Sequence, residues 1–105
     1  MDTQLKKGLL EFCVLAVLRN HDSYGYQLIR EISPLIAISE STLYPILRRM
    51  EEAGNIISYT EEYHHRLRKY FKLSEKGKLY LAGFKEEREQ MIAILNFINE
   101  GGNEF

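Results

Sequence analysis

The stretch Ser39-Glu40-Ser41-Thr42-Leu43-Tyr44-Pro45-Ile46-Leu47-Arg48-Arg49-Met50-Glu51 decides the fold. Leu43, Ile46, Leu47 and Met50 recur at spacings of three and four, which stacks them on one side of an α-helix. The spacing predicts a helix that begins near Ser39 or Ser41 and runs to Ala53, with Gly54 as its left-handed cap residue and Asn55 in the turn. The opposite side shows Ser41, Thr42, Tyr44, Pro45, Arg48 and Arg49, a mixture of small polar, aromatic and basic groups. Such a helix is anchored along one stripe and offers the rest of its surface. Pro45 lacks a backbone donor and crowds the carbonyl four residues back. With Ser41 as the cap it falls at the edge of the first turn, where that cost is least.

Upstream, the apolar run from Leu9 to Leu18 predicts a helix over about Leu5 to Arg19 that is apolar nearly all round and needs more than one neighbour. Asn20-His21-Asp22-Ser23 is a polar break, and Asp22 or Ser23 can cap a short second helix carrying Tyr26, Leu28, Ile29 and Ile32. Ser33-Pro34 ends it, because a residue before proline is pushed out of the helical region. Downstream, Ile56 to Thr60 and Lys69 to Leu73 are rich in β-branched and aromatic residues and read as a two-stranded hairpin. Ser74 opens a last helix to about Asn99, with Leu79, Tyr80, Phe84, Met91, Ile94, Leu95 and Ile98 at helical spacing. At about 1.5 Å per residue it spans nearly 40 Å, more than one small domain can cover. The flexible ends expected are Met1 to Gln4 and residues 101–105.

The order helix, helix, helix, strand, strand, helix is mainly α, within the α+β class, and is that of a winged helix-turn-helix. Residues 1–73 would form the winged domain, 74–100 a dimerisation helix and 101–105 a flexible tail. A third helix of this kind fits the major groove of duplex DNA while the hairpin lies against neighbouring backbone. The basic residues agree with that placement. Arg48 and Arg49 lie on the outer side of the third helix, and Arg66, Arg68 and Lys69 lie at the hairpin.

The formal net charge of −1 over 105 residues opposes nucleic-acid binding only if the charges are evenly spread. They are segregated. Between His64 and Lys78 stand Arg66, Arg68, Lys69, Lys72, Lys76 and Lys78 against Glu75, whereas Lys85 to Glu104 holds Glu86, Glu87, Glu89, Glu100 and Glu104 against Lys85 and Arg88. The hydrophobic share of 45% and charged share of 28% are those of a folded globular chain. A chain this short buries only about two-thirds of its unfolded surface, so a second subunit would help it. No stretch reaches the roughly 20 apolar residues of a membrane span. Arg19-Asn20-His21-Asp22 follows the apolar run where a signal peptide would need small residues. The single cysteine, Cys13, excludes an intrachain disulfide and a multi-thiolate zinc site. A cytoplasmic protein is expected.

Three blocks, Tyr24-Gly25-Tyr26-Gln27-Leu28, the Ser39 to Glu51 stretch, and Arg68-Lys69-Tyr70-Phe71-Lys72-Leu73-Ser74-Glu75-Lys76-Gly77, resemble those of the PadR family of bacterial repressors. With the opening Lys7-Gly8-Leu9-Leu10-Glu11 the resemblance covers nearly the whole chain, and one helix after Gly77 is similar to the short subfamily. The resemblance implies a sequence-specific repressor, a homodimer whose last helix packs on the partner's first and last helices, and a palindromic double-stranded DNA operator. In many members a small-molecule effector releases the duplex; the residues here do not name one. By matching position it places DNA contacts at Tyr24, Ser39, Ser41, Thr42, Tyr44 and Arg48, and in the wing at Arg66, Arg68 and Lys69. It places Leu9, Leu10, Phe84, Met91, Ile94, Leu95 and Ile98 at the subunit interface.

The chain departs from the family in two places. Its wing reads Tyr63-His64-His65-Arg66-Leu67 where relatives carry glycines, which predicts a stiffer or differently shaped tip. It has no tryptophan, and Arg88 stands where drug-sensing relatives place one, so a pocket for flat aromatic drugs is not expected.

Other readings of the same residues are blander. His64 and His65, as neighbours in an extended strand, would point to opposite faces and could not chelate one metal ion. Cys13 is expected to be a buried, inert thiol, and Glu87 with Arg88 a rim ion pair rather than the lining of an effector cavity. No nucleophile elbow, phosphate-binding glycine loop or metal-ligand spacing is present, so neither catalysis nor a cofactor is expected. The rival to DNA binding is a winged helix that docks a protein groove.

Overall fold

The computed structural model of the chain describes residues 1–103. In chain order it contains α1 (Thr3–Asn20), β1 (Ser23–Tyr24), α2 (Gly25–Ile32), α3 (Glu40–Glu52), β2 (Ile56–Tyr63), β3 (Arg66–Leu73) and α4 (Glu75–Asn103). The mainly helical winged helix-turn-helix predicted from the sequence is the fold observed, with one addition. β1 pairs antiparallel with β3, so the hairpin becomes a three-stranded sheet of order β1-β3-β2. Two residues are too few to show an alternating pattern, which is why the strand cannot be read from its own sequence.

Each helix forms where the apolar spacing places it, and the ends show what stops it. Asp2 caps α1, its carboxylate accepting from the Gln4 and Leu5 amides at 3.1 and 3.2 Å. The expected loose end at Met1 to Gln4 is thereby tied into a helix that starts at Thr3. The cap of α2 is Tyr24, in extended conformation, rather than Asp22 or Ser23, because Ser23 is paired in the sheet and the Asp22 carboxylate is engaged by the Tyr59 hydroxyl. Ser39 caps α3, so Pro45 is its sixth residue and lies inside the helix. The Ser41 carbonyl therefore lacks the amide donor that any other residue at position 45 would supply. Gly54 closes α3 with φ of +82°, as expected.

One core joins these elements. Leu10, Val14, Leu15 and Leu18 of α1 are packed against Leu28 and Ile32 of α2, Leu43, Ile46, Leu47 and Met50 of α3, and Ile56, Phe71 and Leu73 of the sheet. The all-round apolar surface of α1 is thus covered on several sides, with Leu9, Phe12, Cys13, Ala16 and Val17 left half-buried. α4 begins under a Ser74 cap that accepts from the Gly77 amide at 2.9 Å, and it lies against α1 through Tyr80 and Phe84, which stack on Phe12. Beyond Phe84 the described side chains are exposed except the half-buried Met91. The helix runs on past Asn99 to Asn103, which takes in the first part of the tail expected at residues 101–105; Glu104 and Phe105 lie outside the described residues.

At the α1–β1 corner an exposed polar lock ties the turn to α2. His21 Nε2 lies 2.9 Å from Glu31 Oε1 on α2, and Nδ1 lies 2.9 Å from the Asp22 carbonyl. The Asp22 carbonyl and the Glu31 carboxylate raise the His21 pKa above 6.5, because both accept from the protonated ring. A raised folded-state pKa means the contribution is complete below about pH 6.5 and is lost as pH rises through the folded value. The melting temperature of the wild type should therefore exceed that of His21→Gln by more at pH 5.5 than at pH 8.5. An advantage independent of pH, measured by thermal melts across this range, would rule out the lock.

Candidate nucleic-acid interface

Four buried residues hold the inner side of α3, and its outer side is the surface to be explained. At its start, the Ser39 hydroxyl makes no capping bond to the backbone. It lies 3.0 Å from Ser41 Oγ and 3.2 Å from Thr42 Oγ1 instead. Three hydroxyls thus gather at a helix N-terminus whose first amides carry partial positive charge, a setting that favours contact with phosphate oxygens. One turn on, Tyr44 and Arg48 are exposed. Arg48 has no ion-pair partner among the described residues, whereas Arg49 is tied to Glu11 of α1 at 3.1 Å. Of the two adjacent arginines, one anchors the helix and the other faces outward.

The wing is built on close pairing of β2 with β3 as far as Tyr63 and Arg66. His64 and His65 form the intervening two-residue turn with φ of 49° and 66°. The expectation that they extend a strand is corrected: both occupy the left-handed region, which a two-residue hairpin turn demands and which glycine or asparagine usually supplies. The absence of glycine here leaves the turn tight rather than lengthened.

Arg68 is the most constrained cation of the wing. Its guanidinium carbon lies 4.0 Å from the centre of the Tyr24 ring and 3.9 Å from that of Tyr63, so an aromatic ring covers each side. The Tyr70 hydroxyl also faces the guanidinium and raises its pKa, and the remaining in-plane N–H groups are its available donors. Tyr24 also meets Tyr70 edge-on at 5.5 Å, and Tyr70 stacks with Tyr59 at 5.6 Å, giving a continuous tyrosine row across the sheet. The row ends where Tyr59 donates its hydroxyl to Asp22 at 2.7 Å, and this hydrogen bond pushes the phenol up to about 12. Lys69 points to the other side of β3, 3.7 Å from Glu51 of α3, whose carboxylate also accepts from the Ser58 hydroxyl.

These parts meet across a cleft of about 500 Å³ between α3 and the sheet. Of the residues read from the sequence as DNA contacts, Tyr24, Tyr44, Arg48, Arg68 and Lys69 line it. Ser39, Ser41 and Thr42 lie at the N-terminal end of α3, and Arg66 lies farther out along the wing beside Tyr63 and His64. Gly25, Tyr26, Glu51 and Tyr63 belong to the same surface and were not singled out as site residues. Among the residues read as an interface between subunits, Leu10 is corrected: it is fully buried in its own subunit's core and leaves no surface for a partner. Phe84 is half-buried against Phe12, whereas Ile94, Leu95 and Ile98 are exposed. Cys13 is half-buried, and burial pushes its thiol up, which keeps it protonated.

Gly25 sets the position of Tyr44. A Cβ built on Gly25 would clash with the Tyr44 hydroxyl oxygen and stand 2.9 Å from the ring carbon that bears it. The tyrosine therefore lies across the start of α2, in the space that a side chain at position 25 would take. Gly25→Ala should displace the exposed Tyr44 ring from this position and destabilise the chain by about 1 kcal/mol. In a Tyr44→Ala background the same change should cost less than about 0.5 kcal/mol. Urea denaturation of the four variants gives the cycle, and equal costs in both backgrounds would remove Tyr44 from the argument.

Comparison with known proteins identifies the family. The sequence profile described as the Transcriptional regulator PadR-like family matches residues 14–83. A transcriptional regulator of Clostridium thermocellum is 30% identical with a TM-score of 0.81, the match covering 91% of this chain and 95% of that one. A Streptococcus mutans protein is 40% identical with a TM-score of 0.79, covering 89% of this chain and 88% of that one. Bacillus subtilis PadR, solved in complex with operator DNA, shares the fold at 23% identity and a TM-score of 0.65 over 72% of this chain and 45% of its own. The chain belongs to the PadR-like family of transcriptional regulators.

Proposed function

We propose that two copies of this chain clamp a palindromic duplex operator and repress transcription from it. The observation that carries the reading is the single surface on which an outward arginine of α3 and a ring-clamped arginine of β3 flank one cleft. In this reading α3 enters the major groove. Arg48, without an acidic partner, is placed to reach base edges, while Ser39, Ser41 and Thr42 hold phosphate at the helix start. Arg68 presents fixed donors to the backbone, so little rotamer entropy remains to be lost when phosphate binds. That Bacillus subtilis PadR was solved on operator DNA supports the same use of this fold here.

The readout is a contrast between two variants. Arg48→Ala should weaken binding to a selected operator by about 1–3 kcal/mol and change affinity for random duplex little. Arg68→Ala should weaken both alike and lower the slope of log affinity against log salt by about one. Equal losses on operator and random duplex for Arg48→Ala would refute its role as a base reader.

The pairing of subunits is assigned to α4. Ile94 is 51% exposed, Leu95 57% and Ile98 62%, and with the half-buried Met91 they form a stripe at helical spacing that the chain's own fold leaves largely uncovered. Leu95→Glu should give monomers in sedimentation velocity while each subunit keeps its helical spectrum, since this side chain is outside the subunit core. A Leu95→Glu protein that sediments as a dimer would move the subunit contact elsewhere.

A further inference from the structure

On the far side of β3 from the wing tip, three cations that neither the core nor the proposed operator surface uses gather around a second cleft. It has a volume of about 340 Å³ and is lined by Arg19 from the last turn of α1, Lys72 from β3 and Lys78 from α4. Arg19 and Lys72 have no ion-pair partner among the described residues, and Lys78 reaches only Glu75, an exposed neighbour on its own helix at 3.0 Å. The one carboxylate lining the cleft is that of Asp22, which already accepts the Tyr59 hydroxyl. The fourth basic group on the wall, His21, is held by Glu31 and the Asp22 carbonyl.

We infer that this cleft binds a phosphate group. Three cations from three separate elements repel one another across a shared concavity, and one engaged carboxylate does not neutralise them. An anion in the cleft relieves that repulsion. A phosphate monoester, with charge of about −1.5 to −2 near neutral pH, matches the surplus of three cations over one carboxylate. The cleft is also within the roughly 300–1,000 Å³ of small-ligand sites. The asparagine at position 20, whose amide can donate to an oxygen, completes a wall of donors. Because Arg19, Lys72 and Lys78 stand on the first helix, the wing strand and the last helix, an occupant would bridge the operator-facing sheet to the helix assigned to subunit pairing. The phosphate has two chemical sources, a free phosphate-bearing small molecule or the backbone of duplex flanking the operator, and the inference holds for the group they share.

Two measurements on the full chain separate the sources. In the first, melting temperature is followed against inorganic phosphate, with chloride at equal ionic strength as reference. The wild type should show a saturating rise of about 5 °C. Lys72→Gln/Lys78→Gln should lose most of that rise, and Arg68→Ala, which removes the phosphate donor proposed for the operator surface, should keep it, which locates the phosphate in the second cleft. In the second, the salt dependence of binding to a long random duplex is compared for the wild type and Lys72→Gln/Lys78→Gln. A slope reduced by one or more in the variant assigns the cleft to the DNA backbone. Either result supports the site and names its source. A variant that keeps its helical spectrum, with the phosphate response and salt slope of the wild type, would overturn it, whether or not the chain binds an operator.

Discussion

A two-stranded hairpin in water has no fixed attitude towards the rest of a chain, because its backbone bonds and one layer of side chains scarcely outweigh the entropy of ordering it. In this protein two residues supply the missing constraint. Ser23 is fully buried and pairs with Phe71, and Tyr24 pairs with Tyr70, so β3 is fixed between β1 and β2. The same Tyr24 ends the strand, starts α2 and covers one side of the Arg68 guanidinium. Chain direction, helix start and the placement of a wing cation are thus set by one extended tyrosine. Without that pairing, α3 and the wing would share a core through Phe71 and Leu73 but not a defined relative orientation.

The helices were legible because their cause is local. Leu43, Ile46, Leu47 and Met50 specify a buried stripe wherever the rest of the chain lies, and Gly54 marks its end through its own backbone preference. What the sequence did not disclose is non-local or goes against the usual local signal. β1 exists only because β3 runs beside it. The turn at His64 and His65 is the mirror-image type that asparagine-glycine usually announces, and two histidines give no such signal. The division of labour between Arg48 and Arg49 depends on Glu11, 38 positions away in the chain, and adjacency on a helix could not reveal it. Of the site itself, the residue types and their approximate address were readable, and the rings on either side of Arg68 were not.

Net charge is a poor guide to this molecule because the fold sorts its charges. The cations of β3 and the start of α4 lie on or near the sheet, while Glu86, Glu87, Glu89 and Glu100 lie along the exposed part of α4. Screening over a Debye length of about 8–10 Å means that a phosphate at the wing experiences the wing and little of the distant helix. A chain of formal charge −1 can therefore present a locally positive surface. The paired cations matter less than the unpaired ones in this respect: Arg49 and Lys69 are partly compensated by Glu11 and Glu51, which orients them within the fold. The compensation shifts the outward field towards Arg48, Arg66 and Arg68.

The length of α4 follows from the same economy of scale. A chain of 105 residues has little interior, and 29 residues of it are placed in a helix that the rest of the domain covers only at its start, through Phe12, Tyr80 and Phe84. Exposed leucine and isoleucine gain roughly 25 cal/mol for each Å² removed from water, so leaving this stripe bare is costly unless a second surface takes it up. In the proposed dimer that surface is another α4, and the helix then serves two ends at once. It supplies apolar area that the small core cannot, and as a stiff rod joined to the wing sheet by the single residue Ser74 it transmits the two-fold symmetry of the pair to both α3 helices. Spacing of those helices by one turn of DNA, about 34–36 Å, is then a property of α4 packing rather than of the operator surface. In such a dimer, a change at the α4 contact would alter the fit to the duplex without touching a single residue that meets it.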